Sequence, residues 1–467
     1  MESEKGEWIK EASDIERLYE LSHKRRSFLL AYQLSLSSLQ PLEEGHVRKA
    51  LIHLHRKCPA LRICFGERNG QTWLRYMRKE ELDFQVQVVK DAEPDEIRDL
   101  LQTYRYNSEE GPLWCARLLL CENDPLALDK ELPYISHLFI GIHHGICDGF
   151  TMMKVCGAFV RILNDVIDNK PVCDKDQIGY FVQDPETEKI VSAKMSAIQM
   201  NPSLMQEIIS NADDKGIGIP LLLKVQPLPD GEDKTCNLTH VLDKDTTSRF
   251  LDKCRAEGVT FSAGFSALVN VAIASFLVEN NYIQDYYRIC SGQLINLRRY
   301  WTADRTESLG CHILAPLYLW AKVPIDFSTK FWDFARTLHR DLLHHIKIES
   351  IFVREAYAKL TNSKDLDYDD IYFSSNPMQI DCTFSNLGDV TDFLGDTGGH
   401  VKPYFLGRHI SLHYSDIKNF SYFIHTFRGR FIVSILYNTK FVTKAVTQKH
   451  CDQIFTIMEK VLNGTIY

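Results

Sequence analysis

The chain has 467 residues, 45% of them hydrophobic and 25% charged, and a formal net charge of −8. That length exceeds one ordinary core and predicts two domains of roughly 200 residues each. The acidic balance gives no electrostatic basis for a nucleic-acid partner or for an anionic membrane surface.

Taken in chain order, the charged start Met1 to Lys5 lacks an apolar leader, and no stretch approaches the ~18 apolar residues of a membrane span. Phe28 to Leu36 reads as a strand, Glu43 to Lys57 as a helix, and Leu61 to Phe65, Thr72 to Met77 and Phe84 to Val89 as strands. Tyr134 to Ile142 is apolar and β-rich. From Thr151 to Ile167 apolar residues recur at helical spacing, with Met152, Val155, Phe159, Leu163 and Val166 on one face. Pro171 to Asn237 is turn-rich and of mixed charge, with Asp184-Pro185, Gly216 to Pro220 and Pro227 to Gly231, and predicts a crossover between domains. Domains are therefore expected at 1–175 and 236–467, joined by a linker over 176–235. The second half reads as a helix at Ser262 to Val278, strands at Tyr287 to Ile295 and His312 to Trp320, and a helix at Phe331 to His345. Strands follow near Ile380 to Phe384 and Ser411 to His413, then a hairpin of Ser421 to Phe427 and Arg430 to Tyr437 about Arg428-Gly429. Mixed sheets covered by helices make the predicted class α/β. Thirteen cysteines with no Cys-x-x-Cys spacing predict reduced, mostly buried thiols, and with the missing leader a cytoplasmic protein.

The most informative segment is His143-His144-Gly145-Ile146-Cys147-Asp148-Gly149, two imidazoles and a carboxylate where a buried strand ends and a helix begins. Such a turn can aim a side chain into a cleft, and Gly149 leaves room for backbone or substrate to come close. With an unperturbed pKa of about 6.5, a neutral imidazole is poised as a base near neutral pH. His144 with Asp148 as a metal site lacks a third ligand at metal-site spacing, and no His-Glu-x-x-His occurs. Cys147 as a nucleophile with His144 as its base lacks an orienting third group among apolar neighbours. His143 reads as a packing or supporting residue.

The pattern His144-x-x-x-Asp148-Gly149 resembles the HxxxD acyltransferase superfamily, which includes chloramphenicol and carnitine acyltransferases, plant BAHD enzymes, fungal alcohol acetyltransferases and nonribosomal condensation domains. Further segments match in order. Ala50 to Leu54 followed by Cys58-Pro59-Ala60-Leu61-Arg62 resembles the first helix running into the "HPxLR" strand, with Cys58 where His is usual. Gly111-Pro112-Leu113-Trp114 resembles the start of the strand ahead of the catalytic one. Ile295-Asn296-Leu297-Arg298 resembles the "vNLR" segment, and Thr383 to Gly388 the "SNxG" segment. The matches run from about residue 28 to 440. The Asp-Phe-Gly-Trp-Gly segment of the plant BAHD group is missing, so the alcohol-acetyltransferase or condensation-like branches fit better.

The resemblance implies two chloramphenicol-acetyltransferase-like halves, each a mixed sheet with helices, with an active-site tunnel at their interface. It implies His144 as general base, Asp148 held by Arg298 as the structural pair of the catalytic loop, and Ser385, Asn386 or Thr383 as hydrogen-bond donor to the oxyanion. Gly149, Thr383 and Arg299 are the residues expected to meet the acyl donor, Arg299 through a phosphate. The implied reaction is transfer of an acyl group, acetyl first among the candidates, from coenzyme A to the hydroxyl of a small lipophilic acceptor. An acyl-CoA is a co-substrate here, and no bound cofactor or metal is expected. N-acylation or condensation-type amide formation is the enzymatic alternative, and a catalytically silent acyl-CoA-binding protein the non-enzymatic one. A chain spanning both halves implies a monomer.

Overall fold

A computed structural model describes residues 6–88, 94–121, 124, 126–127, 129, 131–183, 185–205, 228, 231–302, 305–324, 326–361, 380–395, 399–411 and 419–464. The chain forms two compact units, the first from Met1–Pro185, Asn296–Ile313 and Asp389–His413, the second from Glu186–Ile295, Leu314–Gly388 and Tyr414–Tyr467. These units differ from contiguous domains at 1–175 and 236–467, because two short segments of the second half lie with the first.

The first unit is built on a mixed five-stranded sheet in the order Val401–Ile410, Leu29–Ser38, Tyr134–His143, Trp114–Cys121, Phe84–Val88. All neighbours are antiparallel except the last pair. Leu29–Ser38 is buried along its whole length, and only Tyr134 is exposed in the central strand. A strand covered on both faces reads as a near-continuous apolar run, as Tyr134–His143 largely does, whereas Leu29–Ser38 is buried although it carries Gln33, Ser35, Ser37 and Ser38. A second, three-stranded antiparallel sheet orders Trp8–Glu11, Gln71–Tyr76 and Ile63–Arg68.

Helix Gly149–Ile167 starts where the Asp148 carboxylate accepts the Thr151 backbone N–H at 2.9 Å, an N-cap. Its stripe of Met152, Val155, Phe159, Leu163 and Val166 is buried, as the spacing predicts. Gly157 lies against the backbone of residues 391–394, since a Cβ there would sit 1.9 Å from the Phe393 carbonyl oxygen. Two turns further on, the Asn164 amide clamps Val401, donating to its carbonyl and accepting from its N–H, each at 3.0 Å. These contacts draw 389–413 into the first unit, and the edge strand then pairs along Leu29–Ser38.

The second unit carries a six-stranded sheet in the order Leu317–Pro324, Tyr286–Gln293, Cys382–Asp389, Phe420–Phe427, Arg430–Asn438, Thr235–Val241. The expected hairpin closes at Arg428 and Gly429, whose φ of 50° and 75° suit a two-residue turn between twisted strands. Helix Phe261–Glu279 corrects the expectation about apolar length: at mean hydropathy 1.9 it is long and apolar enough to cross a membrane. Ala263, Phe265, Leu268, Val271 and Ile273 from this helix pack in the core of the unit.

The expected crossover holds a helix, Glu186–Met200, packed on Ser350–Thr361. Gly216 to Pro220 and most of Pro227 to Gly231 lie outside the described residues, as do Leu412 and His413 of the expected Ser411 strand. The strand expected at His312 to Trp320 begins only at Leu317. The reason is local: the His312 N–H donates to Asp148 at 2.9 Å instead of to a ladder.

Candidate active site

The central strand ends at His143 and the chain enters a 3-10 turn, His144–Ile146, before Asp148 caps the next helix. His144 Nδ1 lies 3.0 Å from the Cys147 carbonyl oxygen. A carbonyl only accepts, so Nδ1 carries the proton and Nε2 keeps its lone pair. The Tyr19 ring stacks on the imidazole at 3.9 Å, 6° from parallel. Burial lowers the His144 pKa from 6.5 to about 4, outweighing hydrogen bonds to backbone and the Asp148 charge, so the ring is neutral at pH 7. His144 retains 9% exposure where His143 has none, which separates the reachable imidazole from the packed one.

Asp148 and Arg298 meet inside the first unit. Arg298 Nη1 donates to Asp148 Oδ2 at 2.6 Å, and both side chains are buried. The pair uses one carboxylate oxygen, because Asp148 Oδ1 is taken by the helix cap. The rest of the guanidinium is also engaged: Nε donates to the Ser308 hydroxyl at 2.9 Å, Nη1 also to Asn296 Oδ1 at 3.3 Å, and Nη2 to Thr151 Oγ1 at 3.2 Å and the Gly310 carbonyl at 3.3 Å. Desolvation pushes the Asp148 pKa up, but the Arg298 charge, His312 and the hydrogen bonds prevail and bring it from 3.8 down to about 2. Phe150 covers the guanidinium at 4.6 Å.

The 3-10 turn Leu297–Tyr300 presents Arg298 inward, with the Asn296 side chain accepting the Arg298 N–H at 3.1 Å. The same turn leaves Arg299 exposed, its guanidinium 5.9 Å from the Tyr300 ring. Gly149 is the first residue of its helix and is not among the glycines with positive φ. Cys147 is fully buried and its thiol is pushed well above its ordinary pKa, chiefly by desolvation and then by Asp148. A thiol held protonated in this way is a poor nucleophile.

Thr383, Ser385 and Asn386 lie on strand Cys382–Asp389 of the second unit, where Thr383 pairs with Gly292 in a parallel ladder. Asn386 is exposed, and its amide is spanned: the nitrogen donates to Ser262 Oγ, and the oxygen accepts the Gly388 N–H at 2.7 Å.

Sequence reasoning passed over helix Asp14–Lys24, which supplies Tyr19 and lies against the 3-10 turn. A signal was there: Ser13 and Glu16 have capping-box spacing, and the Ser13 N–H donates to Glu16 Oε2 at 2.8 Å. His312 was likewise missed as a neighbour of Asp148. Its ring is neutral, lowered to about 3 by burial and then by Arg298, and its Nε2–H faces the Leu309 carbonyl at 3.1 Å.

No family model and no curated protein sequence matches the chain. Solved structures match over nearly the whole length. The trichothecene 15-O-acetyltransferase TRI3 of Fusarium sporotrichioides has a TM-score of 0.67 at 14% identity, covering 97% of this chain and 94% of that one. The first condensation domain of the calcium-dependent antibiotic synthetase has 0.67 at 11%, covering 98% of each chain. Polyketide synthase associated protein 5 of Mycobacterium tuberculosis has 0.64 at 14%, covering 98% and 100%. The chain has the α/β fold of these condensation-domain and acetyltransferase structures, the fold class that the motif resemblance implies.

Proposed function

We propose that the protein is an acyltransferase that moves an acyl group from a coenzyme A thioester to the hydroxyl of a small lipophilic acceptor. One observation carries the reading: His144 is neutral, partly reachable, and fixed by Cys147 in the tautomer that leaves Nε2 unprotonated. The likeness to an acetyltransferase of the same fold supports it.

In this reading Nε2 takes the acceptor's hydroxyl proton as the oxygen attacks the thioester carbonyl. The tetrahedral oxyanion collapses, the C–S bond breaks, and the proton on Nε2 passes to the departing thiolate. Asp148 and Arg298 do no chemistry here; they hold the turn from which His144 projects. Ser385, Asn386 and Thr383 are proposed as the candidates for the oxyanion donor, the Asn386 amide nitrogen being directed at Ser262. Thr383, Gly149 and Arg299 are proposed contacts of the acyl donor, with Arg299 the exposed cation suited to a phosphate.

A second reading, N-acylation or condensation-type amide formation, is supported by the condensation domain of equal TM-score. Release of free thiol from acetyl-CoA and longer acyl-CoAs, with panels of alcohols and amines, tests both. Acceptor-dependent release with alcohols is expected. Release with amines alone supports the second reading, and none with any CoA donor contradicts the first.

A further inference from the structure

Helix Asp14–Lys24 brings Glu20 and His23 to His143, and all three are buried. Glu20 Oε2 lies 3.2 Å from His143 Nε2 and 3.9 Å from His23 Nδ1, and it accepts the Ser108 hydroxyl at 2.8 Å. On the far side of each ring a backbone amide donates inward: Gly145 N–H to His143 Nδ1 at 3.0 Å, and Tyr106 N–H to His23 Nε2 at 3.1 Å. A ring nitrogen that accepts an N–H carries no proton. Each ring proton is therefore on the opposite nitrogen, His143 Nε2 turned toward Glu20 and His23 Nδ1 toward the Ser108 hydroxyl at 3.4 Å, which sets both tautomers.

The same three ligand atoms lie within 4.8 Å of one another, a spacing that a metal ion could use. Ligation would occupy the nitrogen facing Glu20 while the far nitrogen still accepts its backbone N–H, leaving no place for the ring proton. Both rings would have to bind as imidazolates. The geometry favours a proton-bearing cluster instead: His143 Nε2 faces the Glu20 carboxylate at 3.2 Å without full hydrogen-bond alignment, and the Ser108 hydroxyl links Glu20 to His23 Nδ1 at 2.8 and 3.4 Å. Burial opposes ionisation of Glu20, but the facing His143 Nε2–H and the Ser108 hydroxyl favour the carboxylate and bring its pKa below 4.5.

We propose that Glu20 is a positioning residue for His144, acting through His143 on the 3-10 turn that carries the base. Glu20 holds His143 with its proton on Nε2, and the bare Nδ1 takes the Gly145 N–H. Gly145 is thereby fixed inside the turn whose end, the Cys147 carbonyl, accepts the His144 Nδ1–H. Tyr19, the residue before Glu20, stacks on the His144 ring, so one helical turn sets both the backbone under the base and the face of its ring. The proposal rests on His144 being the base.

The test combines nitrogen-15 NMR of histidine-labelled protein with kinetics. Wild type is expected to show His143 protonated on Nε2 and His23 on Nδ1. Glu20→Gln keeps an acceptor oxygen and is expected to preserve the His143 tautomer, with kcat within about threefold. Glu20→Leu removes the acceptor and is expected to shift His143 toward the Nδ1–H tautomer and to lower kcat ~10–100-fold with KM nearly unchanged, the signature of a misplaced base. An unchanged His143 tautomer in folded Glu20→Leu, or equal kcat losses in the two variants, overturns the proposal. So does Nδ1-protonated His143 in wild type, a result that stands even where the Leu variant does not fold. One zinc ion bound per chain, lost in His23→Ala, also overturns it. Where wild type turns over no donor, the functional reading fails while the tautomer arm still decides this one.

Discussion

Replacing Arg298 with Met keeps a long apolar stem and removes the guanidinium that neutralises Asp148. The carboxylate then retains the Thr151 and His312 N–H groups, but no cation, in a site where both partners are buried. Removing one member of a buried ion pair costs about 3–5 kcal/mol, because the remaining charge stays desolvated. Among the other acceptors the Ser308 hydroxyl loses its Arg298 donor, while Thr151 and Gly310 still bond each other and Asn296 still accepts the residue-298 N–H, so these add little to the loss. For a unit of roughly 200 residues this is a fall of ~6–20 °C in Tm. Circular dichroism melts and urea titrations at pH 7 would measure it. The double variant Asp148→Asn with Arg298→Met is expected to lose less than the sum of the singles, by about 0.5–3 kcal/mol, since each single strands the other's partner. A loss under about 1 kcal/mol in Arg298→Met, or additive singles, would refute the description of this pair as a buried structural lock.

Burial lowers the pKa of His23, His55, His144 and His450 to about 4 and of His312 to about 3, from 6.5. Between those values the unfolded chain binds more protons, so stability rises with pH from about 4 to 6.5, and the penalty is absent above that window. Each imidazole costs on the order of 3 kcal/mol by pH 4, and a few together reach a typical total stability. Equilibrium unfolding is therefore expected to show acid denaturation between pH 6 and 4, and a flat profile across that range would contradict the buried neutral rings. For wild type kept folded, kcat/KM should lose activity only below about pH 5; an acid limb centred near 6.5 would mean an unshifted base. Gly157→Ala is expected to cost ~1–3 kcal/mol or more, because its Cβ would meet the Phe393 carbonyl 1.9 Å away. Unchanged urea midpoints in that variant would place residues 391–394 elsewhere.

The reactive turn was legible because its surroundings follow simple periodicities. A strand buried on both faces runs without interruption toward Asp148, and the helix after it repeats its apolar face at 3.6-residue spacing. Arg298 was legible only by resemblance, since nothing local tells an arginine that lies 150 positions from its partner where to point. Helix Asp14–Lys24 was passed over because its composition is strongly charged, and its buried members Glu16, Glu20 and His23 break the rule that polar residues face water. Those residues are satisfied from outside their own set, Glu16 by Lys10 and Ser13, Glu20 by Ser108 and His23 by the Tyr106 N–H, a form of compensation that periodicity does not register. The placement of 389–413 with the first unit depends on Gly157 and Asn164, whose contacts are backbone approaches and not hydrophobic patterning. Helix Phe261–Glu279 escaped notice as a long apolar stretch because Ser262, Ser266, Asn270 and Ser275 interrupt it, and its mean hydropathy stays high regardless.

The central claim is that His144 is the base of acyl transfer. Thiol release from the best acyl-CoA and acceptor pair, compared between wild type and a His144→Ala variant whose melt shows it folded, addresses it most directly. The account expects acceptor-dependent release in wild type and a loss of ~10²–10⁴-fold in the variant. Equal acceptor-dependent rates in the two proteins would contradict it.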